Sequence, residues 1–138
     1  MIFLDTGFVY ALIDADDKSH ARAREVFERE HGKQLADSVI TTNHILSETL
    51  TLLRTRGQQD ERFRHSRAVA VGRQLYAGAF GRLLQVTAEE ERAAFDYFIK
   101  YADKEYSFVD CTSFVVMEKL GISVAWSVDK DFTHRFSA

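Results

Sequence analysis

The sequence contains no proline, and among its 138 residues it has only seven glycines and one cysteine. With Cys111 as the single cysteine, no disulfide can form within the chain. The residues that most often break helices are therefore absent or scarce, and no repeat or low-complexity stretch marks a linker. We expect one compact and mostly helical domain that spans residues 1–138.

Long hydrophobic runs are also missing, although hydrophobic residues make up 46 % of the chain. No apolar stretch approaches the roughly 20 residues that a membrane-spanning helix needs. The first apolar strand follows Met1 directly, without the basic and small-residue features of a secretory signal. Neither GxGxxG nor a P-loop is present, so nothing supports a nucleotide cofactor. We expect a cytoplasmic protein with no membrane partner.

Charge is distributed unevenly along the chain, although the net charge is only −3. Residues 53–85 contain two acids, Asp60 and Glu61, whereas the flanking thirds are acidic. The same segment carries seven basic residues, all of them arginine: Arg54, Arg56, Arg62, Arg64, Arg67, Arg73 and Arg82. Such segregation is compatible with a phosphate-binding surface around an acidic centre, but a solvated helix face explains it more simply.

Short apolar segments alternate with helical patterns along the sequence. We predict strands over 2–4, 39–41, 82–86 and 122–128. The predicted helices are 6–13, 19–30, 43–56, 61–76, one that opens at a Thr87–Glu90 capping box, and 107–120. This alternation indicates parallel βαβ units, hence an α/β fold with a small parallel sheet flanked by helices on both faces. The aromatic residues expected in its core are Phe95, Phe98, Phe108, Phe114 and Trp126.

Acids follow two of the predicted strands. Asp5 comes after the apolar run 2–4, and Asp129 comes after 124–128. Sites in open α/β sheets lie at the carboxyl ends of strands, so both positions are candidates. Asp131 is an alternative to Asp129, and an ordinary solvated turn would also explain both of these later acids.

Two further acids lie on predicted helices. Glu48 shares a helix face with Ile45 and Leu52, so it needs a partner or must reach outward from the helix edge. Asp110 falls in a helix's first turn, where helix capping alone would explain it. His44 lies one turn before Glu48 and could contact substrate or metal, although packing explains it more simply.

The four acids together predict a cation site. Carboxylates about 4 Å apart repel by roughly 4 kcal/mol at an effective dielectric of 20, so a cluster needs raised pKa values or a cation. Oxygen ligands suit Mg²⁺ or Mn²⁺, and the histidines show no zinc spacing. Such ions activate water and neutralise charge on a phosphodiester, which indicates nuclease chemistry.

Four segments resemble the motifs of PIN domains. Residues 3–12, FLDTGFVYAL, resemble the opening of the domain, and 41–53, TTNHILSETLTLL, resemble its second acidic motif. Residues 106–114, YSFVDCTSF, resemble the third motif, and 127–132, SVDKDF, resemble the fourth. Within the family the chain is most similar to the VapC-type toxins of prokaryotic toxin–antitoxin pairs.

The resemblance implies a three-layer sandwich, a ribonuclease that depends on Mg²⁺ or Mn²⁺, an RNA substrate, frequent homodimers and a small antitoxin that blocks the site. It carries the catalytic and metal-binding roles to Asp5, Glu48, Asp110 and Asp129. The fourth acidic position varies within the family, which keeps Asp131 as a rival. The supporting residues that it implies are Thr6, Asn43 and Asp131.

Two other functions fit part of the pattern. One is a PIN-fold module without catalysis that binds nucleic acid or protein; the presence of all four acids argues against it. The other is an aspartyl-phosphate receiver domain, which also places acids at strand ends. Glu48 on a core-facing helix side fits a receiver domain poorly, and the lysine expected after a late strand is not evident.

Overall fold

A computed structural model describes residues 1–31 and 38–128, with the side chain of residue 31 excepted. Four strands and six helices lie in this part of the chain. In order they are β1 (Ile2–Leu4), α1 (Thr6–Ile13), α2 (His20–His31), β2 (Val39–Thr42), α3 (Asn43–Thr55), α4 (Glu61–Tyr76), β3 (Arg82–Leu84), α5 (Ala88–Lys100), α6 (Phe108–Leu120) and β4 (Val124–Trp126). None of the described helices is long and apolar enough to cross a membrane.

The four strands form one parallel sheet in the order β3-β2-β1-β4. Strand β1 is central, and its Leu4 pairs with Trp126 at the end of β4. This order differs from the 2-1-3-4-5 order of flavodoxin-like folds, to which receiver domains belong, so the receiver interpretation is wrong.

Side chains from each strand alternate between the two faces of the sheet, as the period of a strand requires. Leu4 packs on one face with Trp126 and with residues of α1 to α4. Phe3 packs on the other face with Phe114 and other residues of α6. Both faces are therefore covered, and the predicted α/β sandwich with a small parallel sheet is confirmed.

Capping residues set the starts of several helices. Thr42 Oγ1 accepts a hydrogen bond from the Ile45 amide at 3.2 Å, which begins α3. The predicted Thr87–Glu90 capping box is present and begins α5. Gly121 ends α6 in the left-handed conformation at φ +67°, where glycine carries no steric penalty. Gly32, which follows the helix predicted over 19–30 and would end it, lies outside the described residues.

Three predictions about the second half of the chain were wrong. Strands β3 and β4 each span three residues rather than 82–86 and 122–128, because the ladders end at Leu84 and Trp126. Phe95 and Phe98 are not core residues, since they are 54 % and 44 % exposed. Helix α5 packs against α6, with Ala94 as its buried residue, so aromatic residues elsewhere on its surface remain in solvent.

Gly81 and Gly121 both have positive φ, but only Gly81 lies against another strand. Comparing them separates the cost of backbone strain from the cost of a steric clash. Gly81 has φ +128°, and a Cβ there would lie 2.8 Å from the Val39 carbonyl oxygen, whereas a Cβ at Gly121 would meet nothing within 4 Å. We expect Gly121→Ala to lower the free energy of unfolding by about 1–2 kcal/mol, the cost of a left-handed residue. Gly81→Ala should cost at least about 1 kcal/mol more because β2 must move. Urea unfolding of both variants measures this, and equal losses would contradict it.

Candidate active site

Asp5 lies at the point where the order of the sheet reverses. The chain passes from β1 to β2 on one side, and β4 later pairs on the other side of β1. Asp5 follows β1, its amide donates to the Trp126 carbonyl oxygen at 3.1 Å, and its side chain is buried. Ligands of open α/β sheets bind in the crevice at such a switch point.

Ser127 holds the Asp5 carboxylate across this crevice. Asp5 occupies the N-cap position of α1 in an extended conformation, yet its side chain does not cap the helix. Ser127 Oγ instead donates a hydrogen bond to Asp5 Oδ2 at 2.8 Å. An N-cap aspartate usually accepts a hydrogen bond from an amide of the helix's first turn. The Asp5 carboxylate does not, and it is oriented toward Ser127 instead.

The hydroxyl of Thr6 is buried beside Asp5 and has no hydrogen-bond partner among the described residues. Buried hydroxyls are normally satisfied, and an unmet one costs roughly 1–3 kcal/mol. The hydroxyls of Thr49 and Ser113 share this state, so it does not identify a site by itself. Thr6 directly follows Asp5 in the chain, which makes its hydroxyl the candidate among the three for a ligand bound at Asp5.

Glu48 is half-buried at the border of the apolar side of α3. The buried residues of that helix are Ile45, Leu46, Thr49 and Leu53. Within residues 1–31 and 38–128, the side chain of Glu48 makes no hydrogen bond or ion pair. It therefore has no described partner, and its partial exposure is compatible with a position at the helix edge.

Asp110 caps the helix on which it lies, as its sequence context allowed. Asp110 Oδ2 accepts a hydrogen bond from the Ser107 amide at 3.0 Å, and Ser107 Oγ accepts one from the Asp110 amide at 3.0 Å. The start of α6 also packs near the start of α3, where the rings of Phe108 and His44 lie 6.1 Å apart. Asp110 and Glu48 are thus carried by neighbouring helices.

Asn43 and His44 have structural contacts at the start of α3. Asn43 Oδ1 accepts a hydrogen bond from the Val86 amide at 2.7 Å, which ties the segment after β3 to α3. His44 Nε2 lies 3.8 Å from Glu91 Oε2 on α5. These contacts favour the packing interpretation of His44 and show what Asn43 does in the fold.

Cys111 is not a nucleophile. Its burial, with the neighbouring Asp110 carboxylate as a second cause, raises the pKa of the thiol to about 11. The sulfur is therefore protonated at neutral pH, whereas a nucleophilic cysteine needs the thiolate.

The described residues include oxygen donors suited to a hard cation, but they do not form a complete set of metal ligands. Asp5 offers a buried carboxylate, and Thr6 beside it offers an unsatisfied hydroxyl, which are oxygen donors of the type that Mg²⁺ and Mn²⁺ prefer. Within the described ranges, however, no three side chains of His, Cys, Asp and Glu lie close enough together to hold a metal ion. Asp129 and Asp131 lie outside the described residues.

Ser127 and Gly7 were missed as site residues. The strand predicted over 122–128 would have placed Ser127 inside it, but β4 ends at Trp126 and Ser127 turns toward Asp5. A Cβ on Gly7 would lie 2.6 Å from Val128 Cγ2, so glycine lets the segment after β4 lie on α1. The sequence signal was a polar residue directly after the apolar run 124–126 and a glycine two residues after Asp5.

Comparisons with known proteins agree with this geometry. Residues 2–135 match the PIN domain. The 23S rRNA-specific endonuclease VapC20 of Mycobacterium tuberculosis is 38 % identical over 133 residues, which cover 96 % of this chain and 92 % of that protein. A crystal structure of M. tuberculosis VapC20, a toxin that cleaves the sarcin–ricin loop, has a TM-score of 0.82 at 37 % identity over 97 % of this chain and 94 % of that one. FitAB bound to a DNA fragment has a TM-score of 0.64 at 16 % identity over 96 % and 89 % of the two chains, which shows the fold alone.

Gly7 and Val128 lie in contact. We therefore predict that Gly7→Ala changes the free energy of unfolding in opposite directions with and without the Val128 side chain. We expect Gly7→Ala to lower the free energy of unfolding by about 1 kcal/mol, because its Cβ displaces Val128. In a Val128→Ala background the same change should raise it by up to about 1 kcal/mol, since alanine is the better helix former. Chemical denaturation of the four proteins measures this coupling. Additive effects would show that the two residues do not touch.

Proposed function

Because this chain belongs to the PIN domain family, we propose that it is an endoribonuclease that hydrolyses RNA phosphodiester bonds with the help of Mg²⁺ or Mn²⁺. The observation that carries the proposal is the buried Asp5 carboxylate, held by Ser127 at the switch point of the sheet. The likeness of 96 % of the chain to a 23S rRNA-specific endonuclease supports RNA as the substrate.

In this proposal the acids act as one site. Asp5, Glu48 and Asp110 would hold the cation, with Asp129 as the fourth acid and Asp131 as its rival, and Thr6 would add its hydroxyl. A divalent ion bound by these residues would lower the pKa of water and would neutralise charge on the phosphate.

The chain's own groups set the orientation and the proton transfer. Ser127 fixes the Asp5 carboxylate, and the Ser107 amide fixes that of Asp110. Glu48 is half-buried and makes no ion pair with a described residue, so it is suited to accept the proton of the attacking water.

The arginine-rich segment supplies positive charge for an RNA backbone. Several of these side chains contact the protein: Arg56 lies over the Tyr10 ring at 5.8 Å, and Arg67 lies over the Phe63 ring at 5.6 Å. Cation–π contacts leave the guanidinium charge in place. The arginines of α3 and α4 therefore attract phosphates even where they also pack.

We further propose that residues 1–138 form a single PIN-like domain, that the protein is the toxin of a type II toxin–antitoxin pair, and that it acts in the cytoplasm. A small antitoxin then blocks the site. A homodimer is supported by an apolar surface on α5, where Phe95, Phe98 and Ile99 are 54 %, 44 % and 58 % exposed. Exposed apolar patches of this kind often mark protein interfaces.

A PIN-fold module without catalysis, which binds nucleic acid or protein, is the alternative. It is favoured by one observation: no three metal-binding side chains are grouped within residues 1–31 and 38–128. Cleavage assays separate the two functions, because such a module would bind its partner without hydrolysing RNA.

Replacing the acids should abolish cleavage of an RNA hairpin that carries the sarcin–ricin loop, assayed with Mn²⁺. We expect Asp5→Asn and Glu48→Gln to lower the rate by at least about a hundredfold, because each removes a carboxylate needed for proton transfer or charge. Asp110→Asn should do the same and also cost about 1 kcal/mol of stability through its helix cap. Gel-resolved single-turnover rates and thermal unfolding measure the two effects separately.

The matched control is Asp96→Asn, since Asp96 is an exposed acid of α5 outside the proposed site. It should cleave like the wild type. Equal cleavage by wild type and Asp5→Asn would contradict the proposal, as would no cleavage by wild type across several RNAs.

The proposed cation site also predicts stabilisation by metal. Mn²⁺ at about a hundred times its dissociation constant should raise the free energy of unfolding of the wild type by about 2.7 kcal/mol. Asp5→Asn should lose most of this gain, whereas Asp96→Asn should keep it. Urea unfolding with Mn²⁺ and with EDTA measures the difference, and an equal gain in all three proteins would place the metal elsewhere.

A further inference from the structure

A cavity of about 330 Å³ lies between α2 and the end of β4, beside the candidate active site. Its size falls within the roughly 300–1,000 Å³ of typical ligand pockets. The residues that matter here are an apolar floor and a polar rim: Phe8, Val26, Trp126, Arg22, Arg29 and Ser127.

Ser127 connects this cavity to the active site. It lines the cavity, and its hydroxyl donates to Asp5 Oδ2 at 2.8 Å. A polymeric substrate with its scissile bond at Asp5 extends in both directions across the surface. The cavity is therefore within reach of a nucleotide adjacent to the cleaved bond.

The floor of the cavity is shaped by two aromatic rings. Phe8 and Trp126 are only 5 % and 9 % exposed, with ring centroids 5.4 Å apart and planes tilted by 32°. They form a fixed apolar floor, and a base that enters the cavity can contact the exposed part of these rings. Contacts between bases and aromatic side chains are a common source of affinity for single strands.

The rim of the cavity is positively charged. Arg22 and Arg29 are seven residues apart on α2, which places them on one side of the helix. Arg22 pairs with Glu25 at 3.2 Å, but both side chains are more than 60 % exposed, so this pair is weak. Arg29 makes no ion pair with a described residue, and no acid is among the described lining residues.

A second cavity on the other side of α2 provides a contrast. Arg24 and Glu28 both line it and pair with each other at 2.7 Å, so its rim carries no net positive charge. Phe27 contributes to its floor. The two cavities thus share one helix but differ in charge.

We propose that the cavity beside Ser127 binds a nucleotide of the RNA substrate next to the cleaved bond, with Phe8 and Trp126 against the base and Arg22 and Arg29 at the phosphates. This inference rests on the proposed function and adds a subsite to it. Bases that fill the cavity are favoured there, so the cavity contributes to the choice of cleavage position.

The first experiment measures binding without cleavage. The probe is the sarcin–ricin hairpin, titrated by fluorescence anisotropy with proteins that carry Asp5→Asn. Adding Arg22→Ala and Arg29→Ala together should weaken binding about tenfold, and the slope of log affinity against log salt should fall by about 0.7 for each lost contact. Adding Arg24→Ala, on the same helix, should change neither.

The second experiment fills the cavity. Val26→Trp should slow cleavage of the hairpin at least about tenfold by occupying the base position. Phe27→Trp, in the contrasting cavity, should cleave like the wild type. Thermal unfolding of both variants shows whether either change acts through stability instead.

The outcomes separate this inference from the proposed function. If the wild type cleaves RNA but the arginine pair behaves like Arg24→Ala, the subsite is wrong and the endonuclease stands. If the wild type does not cleave, the endonuclease proposal fails and the binding data decide on the subsite: weaker binding only in the arginine pair supports it, and equal or absent binding overturns it.

Discussion

The hydrogen bond between Ser127 and Asp5 joins residues that are 122 positions apart in the chain. It can form only when β1 and β4 are adjacent and parallel, because each residue directly follows one of these strands. The register Leu4 to Trp126 and the amide bond from Asp5 to Trp126 bring both groups to the same edge of the sheet. The position of the candidate catalytic carboxylate thus depends on completion of the sheet by its last strand.

Much of the fold follows from local signals in the sequence. The bounds of α4 agree with the prediction because Asp60 caps its start and Gly78 follows its end, so that both limits are encoded within a few residues. The capping residues of α3, α5 and α6 act in the same way. Strand ends are different, because a ladder ends where its neighbour ends. The sequence after Trp126 therefore carries no signal that the neighbouring strand β1 has already ended at Leu4.

The candidate site was predictable only in part, because local sequence indicates some of its residues and contacts between distant segments determine the others. Asp5 was a candidate because sites in open α/β sheets lie at the carboxyl ends of strands and because its surroundings resemble a PIN motif. The exposure of Phe95 and Phe98 was not predictable. An aromatic residue on an amphipathic helix indicates packing, but it does not show whether the packing partner lies in the same chain. The role of Asn43 was also hidden: its partner, the Val86 amide, lies 43 residues away, and no local pattern encodes that distance.

The start of α1 departs from the local rules that the other capped helices follow. A chain selected for stability alone would pair the Thr6 hydroxyl and use Asp5 to cap α1, because both changes satisfy buried polar atoms. Here neither is done, although α3, α4, α5 and α6 all carry side-chain caps. Side chains cap four of the described helix starts, whereas the start of α1 has no side-chain cap. Since sites tend to lie where such rules are broken at a cost to stability, the start of α1 is the position at which a ligand has the most to contribute.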